Sequence, residues 1–539
     1  MALSSLLHRA SFALSRRGSR HFKEATFNLQ DTQVRRLRSI MALVEGTETA
    51  ARYSLSTATC PVRFARQVPL SNYEDWQAAI QRQRDGDGQL TSETCERYQP
   101  TSGSTSQVKW IPYTPAFLHE LDQAIAPWVS DLYQRYPAIR HGRHYWSLSW
   151  VPQALRSEAA SVNDDLKLLP WWKRLFMAGT MAVPENISLA PTSELSMFAS
   201  LCYLASSRDL TMISVWSPTF AIGLLDTLAQ QREAVSRVLL SGRWPADKPE
   251  LRYLKAPKQR HNGRILQQWD GAINAATTAA LWPQLALISA WDTSSSASWA
   301  QQLQQLFAHC EFQGKGLWAT EGVVTFPLNG QYPLALESHF YEFENLDNGE
   351  ILFAWQLQRG MRVRPIITTG NGLLRYVTKD QLLVDGFLNQ CPSLRFISRL
   401  SGTDMVGEKM SPEAVLNLFD LLSNQFAIKP VSLLAVPGKQ TDSKPGYLLL
   451  AEGNADAVAA VNEQLEVLLN EHFHYRLARE LGQLQSAQTQ ISSNAMDTYM
   501  RLRIASGAVA GNIKVEPLTL CPEAADLLHH SEQREAISA

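Results

Sequence analysis

A short apolar segment that leads directly into a helix start is the feature that most constrains the fold. Met212–Trp216 is apolar, Ser217 and Pro218 follow it, and residues 219–229 are predicted to be helical. Proline suits the first helical position because its missing N–H has no partner there in any case. The same strand-to-helix step recurs along the body of the chain. We therefore predict an α/β fold in which β-sheets are flanked by helices.

The composition is that of a globular protein without a marked charge excess. The chain has 539 residues, of which 45% are hydrophobic and 19% charged, and its formal net charge is −1. Its length corresponds to roughly three to four domain-sized units. The charge balance gives no electrostatic footprint for nucleic acid. The sequence contains no run of about 18 apolar residues, so we predict no transmembrane helix. We expect neither a nucleic-acid partner nor integral membrane association.

The cysteines and the N-terminus bear on the compartment. The six cysteines are scattered without a CxxC pair or metal-ligand spacing, which is typical of reduced thiols in a cytoplasmic protein. The first residues are rich in arginine and poor in acids, with Arg9, Arg16, Arg17 and Arg20. This pattern fits either a transit peptide or an amphipathic surface helix. We favour the surface helix.

The character of the sequence changes near residue 397, where we predict a hinge. Residues 1–396 are predicted to form a large N-terminal domain and residues 397–539 a small α+β domain. In the first part, helices are expected at 27–50 and 115–136, and strands at 145–151, 317–328, 333–343, 351–357, 362–368 and 373–384. In the second, helices are expected at 411–425, 454–471 and 474–491, and strands at 431–436 and 446–451.

The loop Thr101–Lys109 has a composition suited to anions. It reads Thr-Ser-Gly-Ser-Thr-Ser-Gln-Val-Lys, so hydroxyl groups surround one glycine and a lysine closes the segment. Backbone N–H groups, hydroxyls and a fixed positive charge can together surround phosphate oxygens. The loop lacks the G-x-x-x-x-G-K-[ST] pattern of a P-loop. Taken alone, it fits an ordinary surface loop equally well.

Three segments in order carry a resemblance to a known family. They are Thr101–Lys109, Gly316-Leu-Trp-Ala-Thr-Glu-Gly322, and Gly372-Leu-Leu-Arg-Tyr-Val-Thr-Lys-Asp380 followed by Val384-Asp-Gly-Phe387. Together they resemble the auxin-responsive Gretchen Hagen family of acyl-acid amido synthetases, which belongs to the adenylate-forming superfamily. Phe64-Ala-Arg-Gln-Val-Pro69, Tyr73-Glu-Asp75 and Phe340-Tyr-Glu-Phe343 agree with this resemblance, which covers nearly the whole chain. The sequences of these motifs are closer to those of the bacterial branch of the family than to those of the plant branch.

The resemblance implies a fold and a two-step reaction. The implied fold is a large N-terminal domain that includes a β-barrel part, with a small mobile C-terminal lid. The implied enzyme is an AMP-forming ligase that makes carbon–nitrogen bonds from ATP, Mg²⁺, a carboxylic acid and an amine, expected to be an amino acid. The acid first becomes an acyl-adenylate with release of pyrophosphate. The amine then attacks, giving an amide and AMP.

The resemblance also assigns roles to individual residues. It implies phosphate contacts from Ser102, Gly103, Ser104, Thr105 and Lys109. Glu321 is implied as the Mg²⁺ ligand, Thr320 as a contact of the α-phosphate, Asp380 as the ribose acceptor and Arg399 as a further nucleotide contact. Tyr341 or Trp318 would supply a ring for adenine, unless the adenine pocket is aliphatic. Lys514 matches the lysine that the small domain contributes to adenylation. Lys109, Glu321 and Lys514 are thus the predicted catalytic residues.

The sequence departs from the family pattern at four positions. Ser106 replaces a glycine of the phosphate loop, where a Cβ restricts the backbone. Leu317 stands where an aromatic residue often faces adenine, and Val377 and Lys379 replace an arginine and a glycine. Because of these departures, the alternative that this is a binding protein that has lost catalysis stays open. A thiol acceptor that would give a thioester also stays open, since the adenylate-forming fold is shared with acyl-CoA ligases.

An acid with an apolar tail requires a largely apolar slot. Trp216, Trp291 and the cluster Leu168–Met177, with Trp171, Trp172 and Phe176, are the candidates for its walls. Tryptophans at strand ends also serve simply as core residues, and both interpretations stay open from the sequence. No residue identifies the acid or the amine.

Overall fold

The computed structural model describes residues 3–101, 109–146, 176, 179–293, 296–399, 402–403, 405–406, 408, 410–438, 444–480, 482–506, 508 and 513–528. These residues fall into two compact units. The first contains residues 3–101 and 109–397, and the second contains the described residues from Ser398 onward. This division lies one residue from the predicted boundary. The functional division into a synthetase domain and a lid stays a prediction.

Among the described residues up to Trp146, the helices are α1 (Leu3–Ala25), α2 (Leu29–Val44), α3 (Glu48–Tyr53), α4 (Pro61–Gln67), α5 (Tyr73–Arg84) and α6 (Pro115–Arg135). The helix predicted at 27–50 is two helices because Gly46 turns the chain with a φ of 87° and Thr47 caps α3. The N-terminal arginines lie exposed on α1. The opposite face of α1 buries Phe22 and His8, so the amphipathic helix is confirmed.

A four-stranded parallel sheet carries the α/β part of the first unit. Its strands are β3 (Arg143–Trp146), β4 (Leu210–Ser214), β5 (Leu287–Ser289) and β6 (Glu311–Gln313), in the spatial order 3-4-5-6. Helices α7 (Ser193–Ser206), α8 (Pro218–Gln230), α9 (Arg232–Ser241), α10 (Arg260–Gln268), α11 (Ala275–Leu281) and α12 (Ala297–Leu306) connect and flank them. Pro218 begins α8 as predicted, although the Ser217 hydroxyl bonds Thr219 Oγ1 instead of the helix backbone.

Antiparallel pairing dominates the rest of the first unit. Two hairpins are formed by β1 (Arg97–Thr101) with β2 (Lys109–Tyr113), and by β7 (Trp318–Ala319) with β8 (Gly322–Val323). A six-stranded sheet has the order β10-β9-β11-β13-β14, with β12 on β11. Its strands are β9 (Phe340–Asn345), β10 (Ile351–Phe353), β11 (Arg362–Thr368), β12 (Tyr376–Val377), β13 (Asp380–Leu388) and β14 (Cys391–Arg399). The resemblance implies a β-barrel part in this unit, and that assignment stays a prediction.

The second unit is the α+β part predicted from the sequence. Its sheet has the order β17-β16-β15-β18, from β15 (Ile428–Val436), β16 (Gly446–Gly453), β17 (Gln488–Ile491) and β18 (Leu518–Leu520). Its helices are α13 (Pro412–Gln425), α14 (Val458–Asn470), α15 (Phe473–Glu480) and α16 (Ala495–Ala505). The prediction of one polar helix over 474–491 is wrong. Gly482 turns the chain with a φ of 66°, and β17 then pairs with β16.

Candidate functional site

The second sequence motif folds into a tight hairpin that presents Thr320 and Glu321. These two residues form the turn between β7 and β8, and both side chains are half-buried. The Thr320 carbonyl accepts a hydrogen bond of 3.2 Å from the Tyr113 hydroxyl, which fixes the turn against β2. A carboxylate at the tip of a short, braced hairpin keeps a defined position while remaining accessible.

Two glycines of this motif are required by close approach. A Cβ at Gly316 would lie 2.2 Å from the Thr325 carbonyl oxygen, and one at Gly322 would lie 2.8 Å from His339 Nε2. Neither neighbour can withdraw easily, because the first is backbone and the second is a fully buried, hydrogen-bonded ring. The spacing of the two glycines therefore reflects packing at both ends of the hairpin.

Gly322→Ala is expected to destabilise the fold by about 1–3 kcal/mol, because the added methyl displaces His339 from the Val323 N–H. Urea denaturation of both proteins measures the change. Gly223→Ala is the matched control, since a Cβ there meets nothing within 4 Å on a helix. That control should hold or gain stability. Equal stability of Gly322→Ala and the unmodified protein would contradict the packing argument.

The third motif reaches the same hairpin through Tyr376. Its hydroxyl donates a hydrogen bond of 3.3 Å to Glu321 Oε1. Burial raises the pKa of Tyr376, and the negative charge of Glu321 and the hydrogen bond to it raise that pKa further. The hydroxyl therefore stays protonated and able to donate. Asp380 begins β13 four residues later and is 3% exposed. The structure thus brings the second and third motifs together around the Glu321 carboxylate.

Lys109 approaches from β2 and is already engaged. Its Nζ lies 3.0 Å from Glu74 Oε1 and 5.0 Å from the centroid of the Tyr73 ring. Partial burial raises the pKa of Glu74, but hydrogen bonds from its own N–H and from Lys109, with the charges of Lys109 and Lys379, lower it overall. The Tyr73 hydroxyl accepts from the Trp110 N–H at 2.8 Å. A carboxylate and an aromatic face therefore hold this lysine.

Three tyrosines from different segments sense the charge of Glu321. Burial raises the pKa of Tyr113 to about 12, with Arg97 lowering it and Glu321 raising it further. Burial also raises the pKa of Tyr73, and Glu321 contributes there as well. Together with Tyr376, these side chains come from α5, β2 and β12. Glu321 is thus hydrogen-bonded to Tyr376, and its charge also raises the pKa of Tyr73 and Tyr113.

A buried ionic network beneath the hairpin has no counterpart in the sequence predictions. Glu120, on α6 and fully buried, accepts from Arg36 at 2.6 Å, from His339 Nδ1 at 2.8 Å and from the Gly370 N–H at 2.9 Å. His339 Nε2 in turn accepts from the Val323 N–H at 3.1 Å. The ring therefore carries its hydrogen on Nδ1. One carboxylate thus ties the strand after Glu321 to the turn before the third motif.

The expectation for Tyr341 is not supported by its position. The side chain is fully buried, and its hydroxyl donates to the carbonyl oxygens of Val323 and Ala335 at 2.7 and 3.0 Å. A ring without accessible surface has no face to offer an adenine. Trp318 is half-buried on β7 and packs against Trp128 with ring centroids 6.3 Å apart. Of the two rings considered, Trp318 is the accessible one.

The two tryptophans predicted to line an acyl slot are neighbours. The backbone N–H of Trp291 donates to the backbone carbonyl of Trp216 at 3.0 Å, just beyond the ends of β5 and β4. Trp216 is half-buried, whereas Trp291 is 4% exposed and packs edge-on to Phe396. Trp216 therefore has accessible ring surface at the carboxyl end of the parallel sheet, while Trp291 serves mainly as its support.

Other predicted residues lie elsewhere or outside the described residues. Arg399 is the last residue of β14. Lys514 belongs to the second unit, is half-buried, and its carbonyl accepts from the Tyr499 hydroxyl at 3.2 Å. The phosphate-loop residues and most of the tryptophan cluster lie outside the described residues, namely Ser102, Gly103, Ser104, Thr105, Ser106, Trp171 and Trp172.

The donor set around Glu321 fits Mg²⁺ bound together with substrate phosphates. Mg²⁺ commonly takes one or two protein carboxylates and fills its other positions with phosphate oxygens and water. Within the described ranges, no group of three or more His, Cys, Asp and Glu side chains could hold a metal ion alone. The same ranges contain no helix that is both long enough and apolar enough to span a membrane.

Comparison with known proteins gives matches along most of the chain. Residues 18–312 match the GH3 family N-terminal domain, and residues 332–399 match the GH3 family central domain. The probable indole-3-acetic acid-amido synthetase GH3.1 of Arabidopsis thaliana is 22% identical over 482 residues, which cover 80% of this chain and 77% of that protein. The jasmonoyl–L-amino acid synthetase JAR4 of Nicotiana attenuata is 22% identical over 418 residues, 70% of each chain.

A solved structure supports the fold assignment. The GH3.15 acyl acid amido synthetase aligns over 95% of each chain with a TM-score of 0.77 at 17% sequence identity. At this identity the likeness establishes the mixed α/β fold with a large N-terminal part and a C-terminal part. Both of these named relatives come from plants, so the affinity to the bacterial branch stays a prediction.

Proposed function

The chain belongs to the GH3 family, and from this premise we propose that it is an ATP-dependent acyl-acid amido synthetase. Relatives that span most of its length are named amido synthetases or ligases of indole-3-acetic acid, jasmonate and 4-substituted benzoates. The observation that carries the proposal is that Tyr376 of the third motif donates to Glu321 of the second, while Tyr113, on the strand that begins with Lys109, donates to the neighbouring Thr320 carbonyl. A nucleoside triphosphate held beside a carboxylic acid needs a carboxylate that can help to hold Mg²⁺, and Glu321 is positioned as one.

The first half-reaction joins two anions. A carboxylate oxygen of the acid attacks the α-phosphorus of ATP, and the bond to pyrophosphate breaks as pyrophosphate leaves. Mg²⁺, when bound, neutralises phosphate charge and so reduces the repulsion between the two reactants. We assign Glu321 to hold that ion and Thr320 to contact the α-phosphate. Lys109 would leave Glu74 to meet the outer phosphates, since a charge-assisted bond to a phosphate replaces the one it gives up.

The second half-reaction uses the activated carbonyl. The amine nitrogen attacks the carbonyl carbon of the acyl-adenylate, the bond between that carbon and the phosphate oxygen breaks, and AMP leaves. The nitrogen then loses a proton. Asp380 and Arg399 are proposed as nucleotide contacts in both steps, and Trp216 as a wall of the acyl slot with Trp291 behind it. The amine is proposed to be an amino acid, as the names of the relatives suggest.

The experiment that tests the proposal offers the protein ATP, Mg²⁺, pooled carboxylic acids and pooled amino acids, and follows pyrophosphate and product masses. We expect acid-dependent pyrophosphate release and an amide mass. Coenzyme A is added in a parallel reaction to detect a thioester. Thioester without amide would move the assignment to a thiol acceptor. A folded protein that neither binds ATP nor releases pyrophosphate would contradict the proposed enzyme.

Lys514→Ala is expected to slow adenylation by about 100-fold or more, since a positioned cation stabilises charge that develops at the phosphate. The amide-forming step from supplied acyl-adenylate should change far less. Separate assays of pyrophosphate release and of amide formation measure the two steps. Lys444→Ala, an exposed lysine of the same unit, should behave as the unmodified protein. Equal losses in both steps would remove Lys514 from this role.

A further inference from the structure

A buried lysine, Lys315, stands at the carboxyl edge of the parallel sheet with no counter-ion among the described residues. Lys315 follows β6 by two residues and is 5% exposed. Its Nζ donates to Ser214 Oγ at 2.8 Å, at the end of β4. Within the part of the chain that the structure describes, no Asp or Glu forms an ion pair with it. Burying a charge without a partner is costly, so this position calls for an explanation.

Two tryptophan rings shape the surroundings of this lysine. The Nζ lies 5.2 Å from the Trp128 ring and 5.0 Å from the Trp216 ring, within the range of a cation–π contact. Trp128 is fixed by a hydrogen bond from Nε1 to Gln313 Oε1 at 3.1 Å, and it packs against both Trp146 and Trp318. The ammonium group therefore sits among aromatic rings that continue toward the hairpin bearing Glu321.

The same edge has further polar groups that lack partners. Among the described residues, Ser289 Oγ at the end of β5 is fully buried and has no hydrogen-bond partner, and Asp292 Oδ1 beyond it has none either. Burial raises the pKa of Asp292 to about 6 and lowers that of Lys315 to about 7. Ligands of open α/β sheets bind outside the carboxyl ends of the strands. Unpaired polar groups at this edge are consistent with such a ligand.

We propose that Lys315 is a specificity-determining residue of the acid site, where its ammonium group binds a carboxylate of the acyl acid between the rings of Trp128 and Trp216. The inference rests on the proposed function, because it takes the acid of that reaction as its ligand. The two rings would flank an apolar or aromatic body, and Lys315 supplies a positive charge between them. The bound carboxylate is either the reacting group or the second carboxylate of a diacid.

The test compares the unmodified protein with Lys315→Met, which keeps an unbranched side chain one atom shorter and removes its charge. The probes are benzoate, indole-3-acetate and terephthalate, each beside its neutral primary amide, and binding is followed by intrinsic tryptophan fluorescence. We expect Lys315→Met to weaken binding of the acids by about 10- to 100-fold and to leave binding of the amides unchanged. The KM for ATP should stay within about twofold. Lys255→Met, at an exposed lysine, is the control.

The probes distinguish the two sources of the carboxylate. Equal weakening for benzoate and terephthalate assigns Lys315 to the reacting group, whereas weakening confined to terephthalate assigns it to a second carboxylate. The proposal is overturned if Lys315→Met binds the acids as the unmodified protein does. It is also overturned if the KM for ATP rises together with the dissociation constants of the acids. If Lys315→Met does not fold, Ser214→Ala serves as the second variant, because it removes the hydroxyl that accepts from Lys315. It is expected to weaken acid binding by about 2- to 10-fold. Unchanged acid binding by Ser214→Ala counts against the proposal.

Failure of the inference is separable from failure of the proposed enzyme, because fluorescence binding requires no turnover. A protein that binds these acids through Lys315 but releases no pyrophosphate with any acid contradicts the synthetase and supports the lysine site. A protein that forms an amide while Lys315→Met binds acids normally keeps the synthetase and removes the lysine from its role.

Discussion

Glu321→Gln is expected to lower acid-dependent pyrophosphate release by about 100- to 1,000-fold or more in kcat, while the protein stays folded. The amide retains an oxygen that can accept from the Tyr376 hydroxyl, which the carboxylate does at 3.3 Å. The substitution therefore removes the negative charge but keeps the local contact. Glu321→Ala removes both and should be at least as severe. Pyrophosphate release at saturating ATP, Mg²⁺ and acid measures the effect.

Glu350→Ala is the control, because Glu350 is an exposed carboxylate of the same unit outside the site. Its activity should match that of the unmodified protein. Raising the Mg²⁺ concentration should restore part of the activity of Glu321→Gln if the carboxylate acts through the ion. Full activity of a folded Glu321→Gln protein would exclude this residue as the metal ligand.

Glu120→Ala is expected to have the largest effect on stability. The substitution leaves the His339 Nδ1–H, the Gly370 N–H and the Arg36 guanidinium without the acceptor that holds them, and removing one partner of a buried ion pair commonly costs about 3–5 kcal/mol. Arg36 is partly exposed and can turn to water, but His339 is fully buried. The shift in the midpoint of urea denaturation measures the loss.

Two variants make this prediction specific. Glu120→Gln keeps an acceptor and should lose less stability than Glu120→Ala. Asp347→Asn breaks an exposed pair with Arg362 and should change stability by less than about 1 kcal/mol. Because the network braces Val323 and Gly370, Glu120→Gln should also slow pyrophosphate release. Stability of Glu120→Ala equal to that of Asp347→Asn would contradict a structural role for the network.

Local signals in the sequence predicted those elements whose ends are marked by their own residues. The helix over 115–136 was predicted because Pro115 marks its start and the apolar residues recur with helical spacing, and α6 has nearly those bounds. The step from β4 to α8 follows from the apolar run and Pro218 in the same way. Where pairing with a distant strand determines the secondary structure, the local sequence pattern did not predict it. The residues of β17 are polar enough to suggest a helix, yet they pair with β16.

The site was predictable only in part for a related reason. Glu321 and Tyr376 are found through motifs that are continuous in the sequence, and the structure joins them directly. Glu120 and His339 are 219 positions apart and belong to no motif, so nothing local marks their contact. Tyr341 stands in a motif-like segment but faces the core. Lys315, between two glycines, gave no signal until its tryptophan neighbours were known.

The central claim is that the acid is activated as an adenylate, and oxygen transfer tests it most directly. The acid found in the product screen is labelled with ¹⁸O in its carboxyl group and incubated with ATP, Mg²⁺ and the amine. Attack of the carboxylate on the α-phosphorus, followed by cleavage of the bond between carbon and that oxygen, leaves one labelled oxygen on AMP. We predict AMP carrying one ¹⁸O by mass spectrometry. Unlabelled AMP, or label in inorganic phosphate with ADP as the nucleotide product, would contradict the account.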